Sequence, residues 1–211
     1  MLARFTLSLF VTLGFLVSLP YVSAEMVTLT GPTDATVIDP HHEAWYFGTL
    51  ENSPHTFMLY LDEPLDAHFE IVVPARNEAI RKQGAIIVKQ ATRGVTEVAR
   101  LNAEDAAWER FFNISTGDSW QRGASYNGSL EPGIYIIEVH SPDNQGVYAL
   151  RFGEGGSLAG GGYFKKLSSL YQIKQLEGKS VFSMVLSPYL YVPLLLLMAG
   201  LGFFMYRKRY A

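Results

Sequence analysis

From Val181 to Tyr206 the chain carries no charged residue. No other stretch limits the fold so strongly, because a segment of that length and composition must leave water. Pro188 to Tyr206 is 19 residues. At about 1.5 Å per residue this makes roughly 28 Å of helix, close to the hydrocarbon thickness of a bilayer. Pro188 and Pro193 fall in its first half, where proline is tolerated at a helix start or as a kink. Tyr189 and Tyr191 at one end and Tyr206 at the other suit the interfacial aromatic belts, and Arg207, Lys208 and Arg209 suit a cytoplasmic flank. Residues 188–206 are therefore expected to form a transmembrane helix anchored from Pro188 to Tyr206, with 207–211 as a cytoplasmic tail.

The other end is apolar in a different way. Arg4 precedes an apolar run from Phe5 to Leu19, Pro20 ends it, and Val22-Ser23-Ala24 places small residues before Glu25. Basic start, short apolar core and small-residue exit form a secretory signal peptide over residues 1–24, with an uncleaved anchor as the alternative. Together the two segments predict a type I, single-pass protein of the cell membrane, with residues 25–153 outside the cytoplasm.

Charge divides the same way. Residues 25–162 hold 19 acidic and 9 basic residues, whereas 163–211 hold 1 acidic and 7 basic. An acidic outer domain argues against nucleic acid as a partner. Lys165, Lys166, Lys174 and Lys179 lie just before the span. They either rest on anionic lipid headgroups or belong to an ordinary charged stalk. There is no cysteine, so the domain holds together without disulfides and carries no thiol chemistry or Cys-ligated metal.

Within 25–153, short runs rich in Val, Ile, Tyr, Phe and Thr recur about every ten residues, with alternating apolar side chains. The pattern predicts strands over 26–30, 43–50, 55–61, 68–73, 85–91, 95–101, 119–126, 134–140 and 147–152. Gly31-Pro32, Asn52-Ser-Pro54, Arg93-Gly94 and Tyr126-Asn-Gly128 read as turns between them. Residues 103–112 suit a helical turn or a strand. The fold class expected is all-β: an antiparallel β-sandwich, jelly-roll-like.

The clearest local unit is the last one. Glu131-Pro132-Gly133 suits a tight turn. Tyr135, Ile137 and Val139 then share one face, and Tyr148, Leu150 and Phe152 share one face of the next strand. This predicts a closing hairpin around Ser141–Gly146. The stretch Leu130–Gly153, with Pro-Gly-Ile-Tyr and Gly-Val-Tyr-Ala-Leu-Arg-Phe-Gly, resembles the closing strands of bacterial pre-peptidase C-terminal β-sandwich domains. That resemblance implies a jelly-roll-like, non-catalytic accessory module of a secreted or surface protein. No peptidase domain accompanies it here, so a protease-helper role is not carried over. The whole arrangement is also similar to small single-pass prokaryotic membrane proteins.

Gly153–Gly162 has six glycines in ten residues, which makes 154–162 a flexible linker. Tyr163, Phe164, Leu167, Leu170 and Tyr171 then fall at helical spacing, and Gly178 suits a helix end. Residues 163–178 are expected to form a juxtamembrane amphipathic helix, lying on the outer leaflet, packing on a partner's membrane helices, or serving as a plain stalk.

Candidate chemistry is sparse. Asp39-Pro-His41-His42-Glu43 is the densest set of ligand-type side chains, but adjacent strand histidines face opposite ways, so a polar loop leading into the Trp45-Tyr46 strand is expected rather than a metal site. Asp118, Asp143 and Asn144 lack the spacing of a calcium loop. No nucleophile motif is present, and no cofactor is implied. Trp45, Trp108 and Trp120 suit either a sugar-stacking surface or core packing. Asn113-Ile-Ser115 and Asn127-Gly-Ser129 are glycosylation sequons if the source glycosylates exported proteins. The expected function is therefore non-catalytic: a binding or assembly module for another membrane or envelope protein, in contact with membrane lipid. A glycan- or peptide-binding module and a metal-handling surface protein are the alternatives.

Overall fold

The computed structural model describes residues 25–29, 35–76, 81–153 and 163–210. The expected signal peptide (1–24), the expected linker (154–162) and the expected turn at Gly31-Pro32 lie outside the described residues.

Among the described residues, eleven strands form two sheets: β1 (Glu25–Thr28), β2 (Thr36–Ile38), β3 (Ala44–Glu51), β4 (His55–Leu61), β5 (Leu65–Pro74), β6 (Gly84–Gln90), β7 (Val95–Leu101), β8 (Glu109–Asn113), β9 (Asp118–Leu130), β10 (Gly133–His140) and β11 (Gln145–Phe152). The six-stranded sheet runs β1-β3-β11-β5-β9-β8 and the five-stranded sheet β2-β4-β10-β6-β7. Pairing is antiparallel except at β1–β3 and β2–β4, which are parallel. Consecutive strands alternate between the sheets, except in the hairpins β6–β7 and β8–β9. This is a β-sandwich of jelly-roll character.

The core lies between the sheets, built from inward positions at period two. Tyr46 and Leu50 of β3, Phe69 and Ile71 of β5, and Tyr148 and Leu150 of β11 meet Phe57 and Leu59 of β4, Ile87 of β6 and Ile137 of β10. All are nearly or fully excluded from solvent.

The nine expected strands are present, β4 and β7 with the expected bounds and the others with shifted ends, and β2 and β8 add to them. Residues 103–112 resolve into a turn followed by β8. Two expectations are overturned. The closing unit is not a hairpin: β10 pairs with β4 and β6, and β11 with β3 and β5. Ser141–Asn144 instead carries the chain across the core, so that Tyr135, Ile137 and Val139 face Tyr148, Leu150 and Phe152 from opposite sheets. Two wholly apolar faces gain more by burying each other than by lying side by side. Likewise, Tyr126-Asn-Gly128 is not a turn. It continues β9 opposite Phe69, His68 and Ala67 of β5. Gly128 leaves room for the Tyr126 phenol, which a Cβ would meet at 2.7 Å.

Two helices follow: α1 (Tyr163–Leu176) and, after a 3-10 turn over Val181–Leu186, α2 (Pro188–Tyr210). Helix α1 ends in a Schellman turn. The Lys179 amide donates to the Lys174 carbonyl at 2.8 Å, the Gly178 amide donates to Gln175 at 2.8 Å, and Gly178 has φ 61°. Among the described residues α2 is the one helix long and apolar enough to cross a membrane, over Pro188–Tyr206. Leu194, Leu197, Leu201 and Phe204 along it are exposed.

Candidate functional site

Part of the outer face of the six-stranded sheet is buried as well as its inner face. Its outer face carries Phe47 of β3, Val72 of β5, Trp120 of β9 and Ala149 of β11, and Ile173 of α1 packs on them, flanked by Trp45, Phe111, Leu176 and Tyr189. Phe47 and Trp120 meet edge to face with centroids 5.4 Å apart, and Trp45 stacks on Phe47 at 6.0 Å. Helix α1 thus finds its partner in its own domain. Its buried face also differs from the expected one: Leu170, Ile173 and Lys174 are buried, while Phe164 and Tyr171 are exposed.

Burial of Lys174 follows from what lies opposite. Its ammonium bonds to the Asp118 carboxylate at the start of β9, and both side chains are almost wholly excluded from solvent. The Schellman turn brings back Lys179, which donates to the other Asp118 oxygen at 2.6 Å and pairs with Glu177 at 2.9 Å. Two lysines and two carboxylates close a compact charge cluster between helix and sheet. Lys174 and Lys179 are therefore not free to rest on headgroups.

The two carboxyls titrate in opposite senses. Burial alone would raise Asp118, but the hydrogen bonds and charges of Lys174 and Lys179 outweigh it, and its pKa lies below the ordinary value of 3.8. Glu177 is raised to about 7, first by burial, with the Asp118 carboxylate adding to it and Lys179 opposing. Between its ordinary value of 4.5 and about 7, folded Glu177 holds a proton that the unfolded chain has released. Stability therefore falls as pH rises through this window. Asp118 acts lower: its contribution is complete above 3.8 and is lost as pH falls through its depressed pKa. His55, lowered from 6.5 by burial beside Tyr148, opposes Glu177, because it stays neutral where the unfolded chain is protonated. A comparison with Glu177→Gln separates the two. The thermal midpoint of the native chain relative to this variant should be higher at about pH 5 than at about pH 8. Equal differences at the two pH values would mean that Glu177 is ionised throughout.

The same junction grips the start of α2. The Ser187 hydroxyl donates to the Ser115 carbonyl at 2.7 Å. The β8–β9 turn is held by the Asn113 side chain, which accepts from the Ser115 and Thr116 amides at 2.9 and 3.2 Å. Gly117, at φ 71°, lies so close to Leu186 that a Cβ would stand 2.6 Å from its carbonyl carbon. Pro193 has no amide proton for the carbonyl four residues back. That carbonyl belongs to Tyr189, and the Tyr163 hydroxyl of α1 donates to it at 2.7 Å.

Beside the helix a ladder of alternating charge crosses five adjacent strands or their ends. Glu43 pairs with Arg151 at 3.0 Å, Arg151 with Glu70 at 3.6 Å, and Arg122 reaches both Glu70 and Glu109 at 3.9 Å. Arg151 and Arg122 also lie over the Trp45 and Phe111 rings. These residues are scattered in sequence, and only the strand order β3-β11-β5-β9-β8 aligns them.

The residues expected to form a ligand surface are not brought together. Trp120 is fully buried beneath α1, which corrects its reading as a surface residue. Trp45 is half-buried in the same cluster. Trp108 lies flat over Gly123, whose Cβ would meet the ring at 2.6 Å, and its indole donates to the Ala103 carbonyl at 3.0 Å. His41 and His42 sit in an exposed turn closed on Asp39: the His41 amide donates to it at 2.9 Å, and the His42 ring lies 2.8 Å from it. Among the described residues no group of three or more His, Asp or Glu side chains is placed to hold a metal. Asp143 pairs with Lys82 and accepts from Ser141 at 3.0 Å. Of the anchor residues, Pro188 begins α2, and Tyr206, Lys208 and Arg209 lie exposed on it.

No family model and no curated protein matches the chain. Among solved structures it is similar to the pre-peptidase C-terminal domain of collagenase from Bacillus anthracis, at 16% identity and a TM-score of 0.40, over 59% of this chain and 100% of that one. This is the kind of domain that the Leu130–Gly153 stretch resembles, while the sandwich itself rests on the sheet order and register.

Proposed function

We propose that this chain is a single-pass, type I protein of the cell membrane, whose sandwich faces away from the cytoplasm and serves as a non-catalytic assembly module for another membrane or envelope protein. The single observation that carries the reading is the continuous packing from sheet to helix to span. Asp118–Lys174 fixes α1 on the sheet, and Ser115–Ser187 and Tyr163–Tyr189 fix α2 on both. A span joined in this way gives the sandwich a set orientation above the bilayer, as docking to a partner in the same membrane requires. Arg207, Lys208 and Arg209 after the span favour the cytoplasmic side for the C-terminal end.

The test compares two tagged full-length chains, crosslinked in native membranes and analysed by mass spectrometry. One is native, and in the other residues 194–205 are replaced by leucine. A partner recovered with both places the contact on the sandwich and α1. A partner recovered with the native span alone places it on α2. Recovery of no protein above an unrelated single-pass control by either chain would sink the assembly reading.

A further inference from the structure

Two exposed apolar segments meet at the start of α2. One is the 3-10 turn, where Phe182 is 86% exposed and Leu186 61%, and the other is the tip of the β8–β9 turn, where Ile114 is 62% exposed. They are joined by the Ser187–Ser115 hydrogen bond and by the close approach of Gly117 to Leu186. Phe164, 82% exposed, neighbours Tyr163, which bonds to the Tyr189 carbonyl in the first turn of α2.

We propose that this apolar rim lies in the interfacial layer of the bilayer and seats the sandwich directly on the lipid surface. The inference rests on the reading of α2 as the span. The apolar part of α2, Pro188–Tyr206, is 19 residues or about 28 Å, which matches a hydrocarbon core of about 30 Å and leaves Arg207–Tyr210 beyond its far end. Its first residues therefore stand at the outer boundary of the hydrocarbon, and whatever is hydrogen-bonded to Ser187 and Tyr189 stands there too. Ile114 is one residue, about 3.8 Å along the chain, from Ser115. Exposed Phe, Leu and Ile side chains at that level are stabilised by partition into the acyl boundary. The local charge agrees. Asp118 and Glu177, the carboxylates at this junction, are turned inward onto Lys174 and Lys179, whereas Lys166 lies over the Tyr189 ring at 5.6 Å, available to lipid phosphate.

The absence of cysteine makes the test direct. Single-cysteine full-length chains, Ile114→Cys, Phe182→Cys, Leu197→Cys and Val95→Cys, are labelled with a fluorophore. They are then placed in phosphatidylcholine–phosphatidylglycerol vesicles carrying either shallow or deep doxyl lipid. Leu197 reports the span. Val95 is the distant control: the chain leaves β5 at Pro74, opposite Trp120, starts β6 at Gly84, and reaches Val95 only at the other end of β6. Labels at 114 and 182 should be quenched severalfold more by shallow doxyl lipid than the label at 95, which aqueous iodide should quench. If 197 is quenched by deep doxyl lipid while 114 and 182 behave like 95, the seating is wrong and the span reading stands. Labels at 114 and 182 shielded from both lipid and iodide would mean that protein covers the rim, which also overturns the inference. If 197 escapes lipid quenching, the span reading fails and the seating with it.

Discussion

Asp118→Ala is expected to lower the stability of the domain by about 3–5 kcal/mol, because it leaves the Lys174 ammonium buried without its counter-charge. The pair is almost wholly excluded from solvent, and Lys179 loses a partner at the same time. Asp118→Asn should fare little better, since an amide keeps the shape and loses the charge. Helix α1 should respond first: hydrogen exchange of its amides should accelerate more than that of β10, which lies in the opposite sheet. The double change Asp118→Leu with Lys174→Met removes both charges and should recover most of the loss, because hydrophobic replacement of a whole buried pair is often neutral. Chemical denaturation of the full-length chain in detergent measures all three variants. A loss below about 1 kcal/mol for Asp118→Ala would mean that water reaches the pair, which would then rank with exposed salt bridges.

Trp120→Ala should cost about as much, roughly 3–5 kcal/mol, for a different reason. Trp120 is the largest fully buried side chain, wedged on the outer face of the sheet against Phe47 and beneath α1. Truncation opens a cavity at the seam that holds the helix, so loosening of α1 should accompany the loss of stability. Trp120→Phe keeps most of the volume and loses the indole bond to the Thr116 hydroxyl at 3.3 Å. It should cost distinctly less. Denaturant midpoints with near-ultraviolet circular dichroism check both. A near-neutral Trp120→Ala would return this residue to the surface role that its sequence context also allowed.

Both predictions concern a junction that local pattern hides. Tyr163, Phe164, Leu167, Leu170 and Tyr171 suggest an apolar stripe, of which Leu170 is buried, yet the helix also buries Lys174, since Asp118 waits 56 residues away to receive it. No hydropathy rule places a lysine inside, because the cost of burying it is offset only by a partner brought from another element. The Tyr163 bond has the same character. Pro193 signals that some carbonyl is left unbonded, but the donor comes from another helix. The closing strands failed in a related way: alternation in β10 and β11 was legible, and their pairing was not. Alternation fixes which side chains face inward but leaves open which sheet each strand joins. Asn127-Gly128 carries a turn signal that long-range pairing with β5 overrides.

What the sequence alone determined is local or compositional. It determined an apolar helix from Pro188 onward, a β-rich domain with strands near their observed positions, and a helix ended by Gly178. These depend on hydrophobic run length, period two and the left-handed glycine, which short windows contain. The tertiary structure decided the strand order, the burial of Trp120, the charge ladder from Glu43 to Glu109, and the docking of α1 through Lys174 onto Asp118. Each of these joins residues far apart in the chain, which are brought together only when the sheet order and the docking of α1 are set.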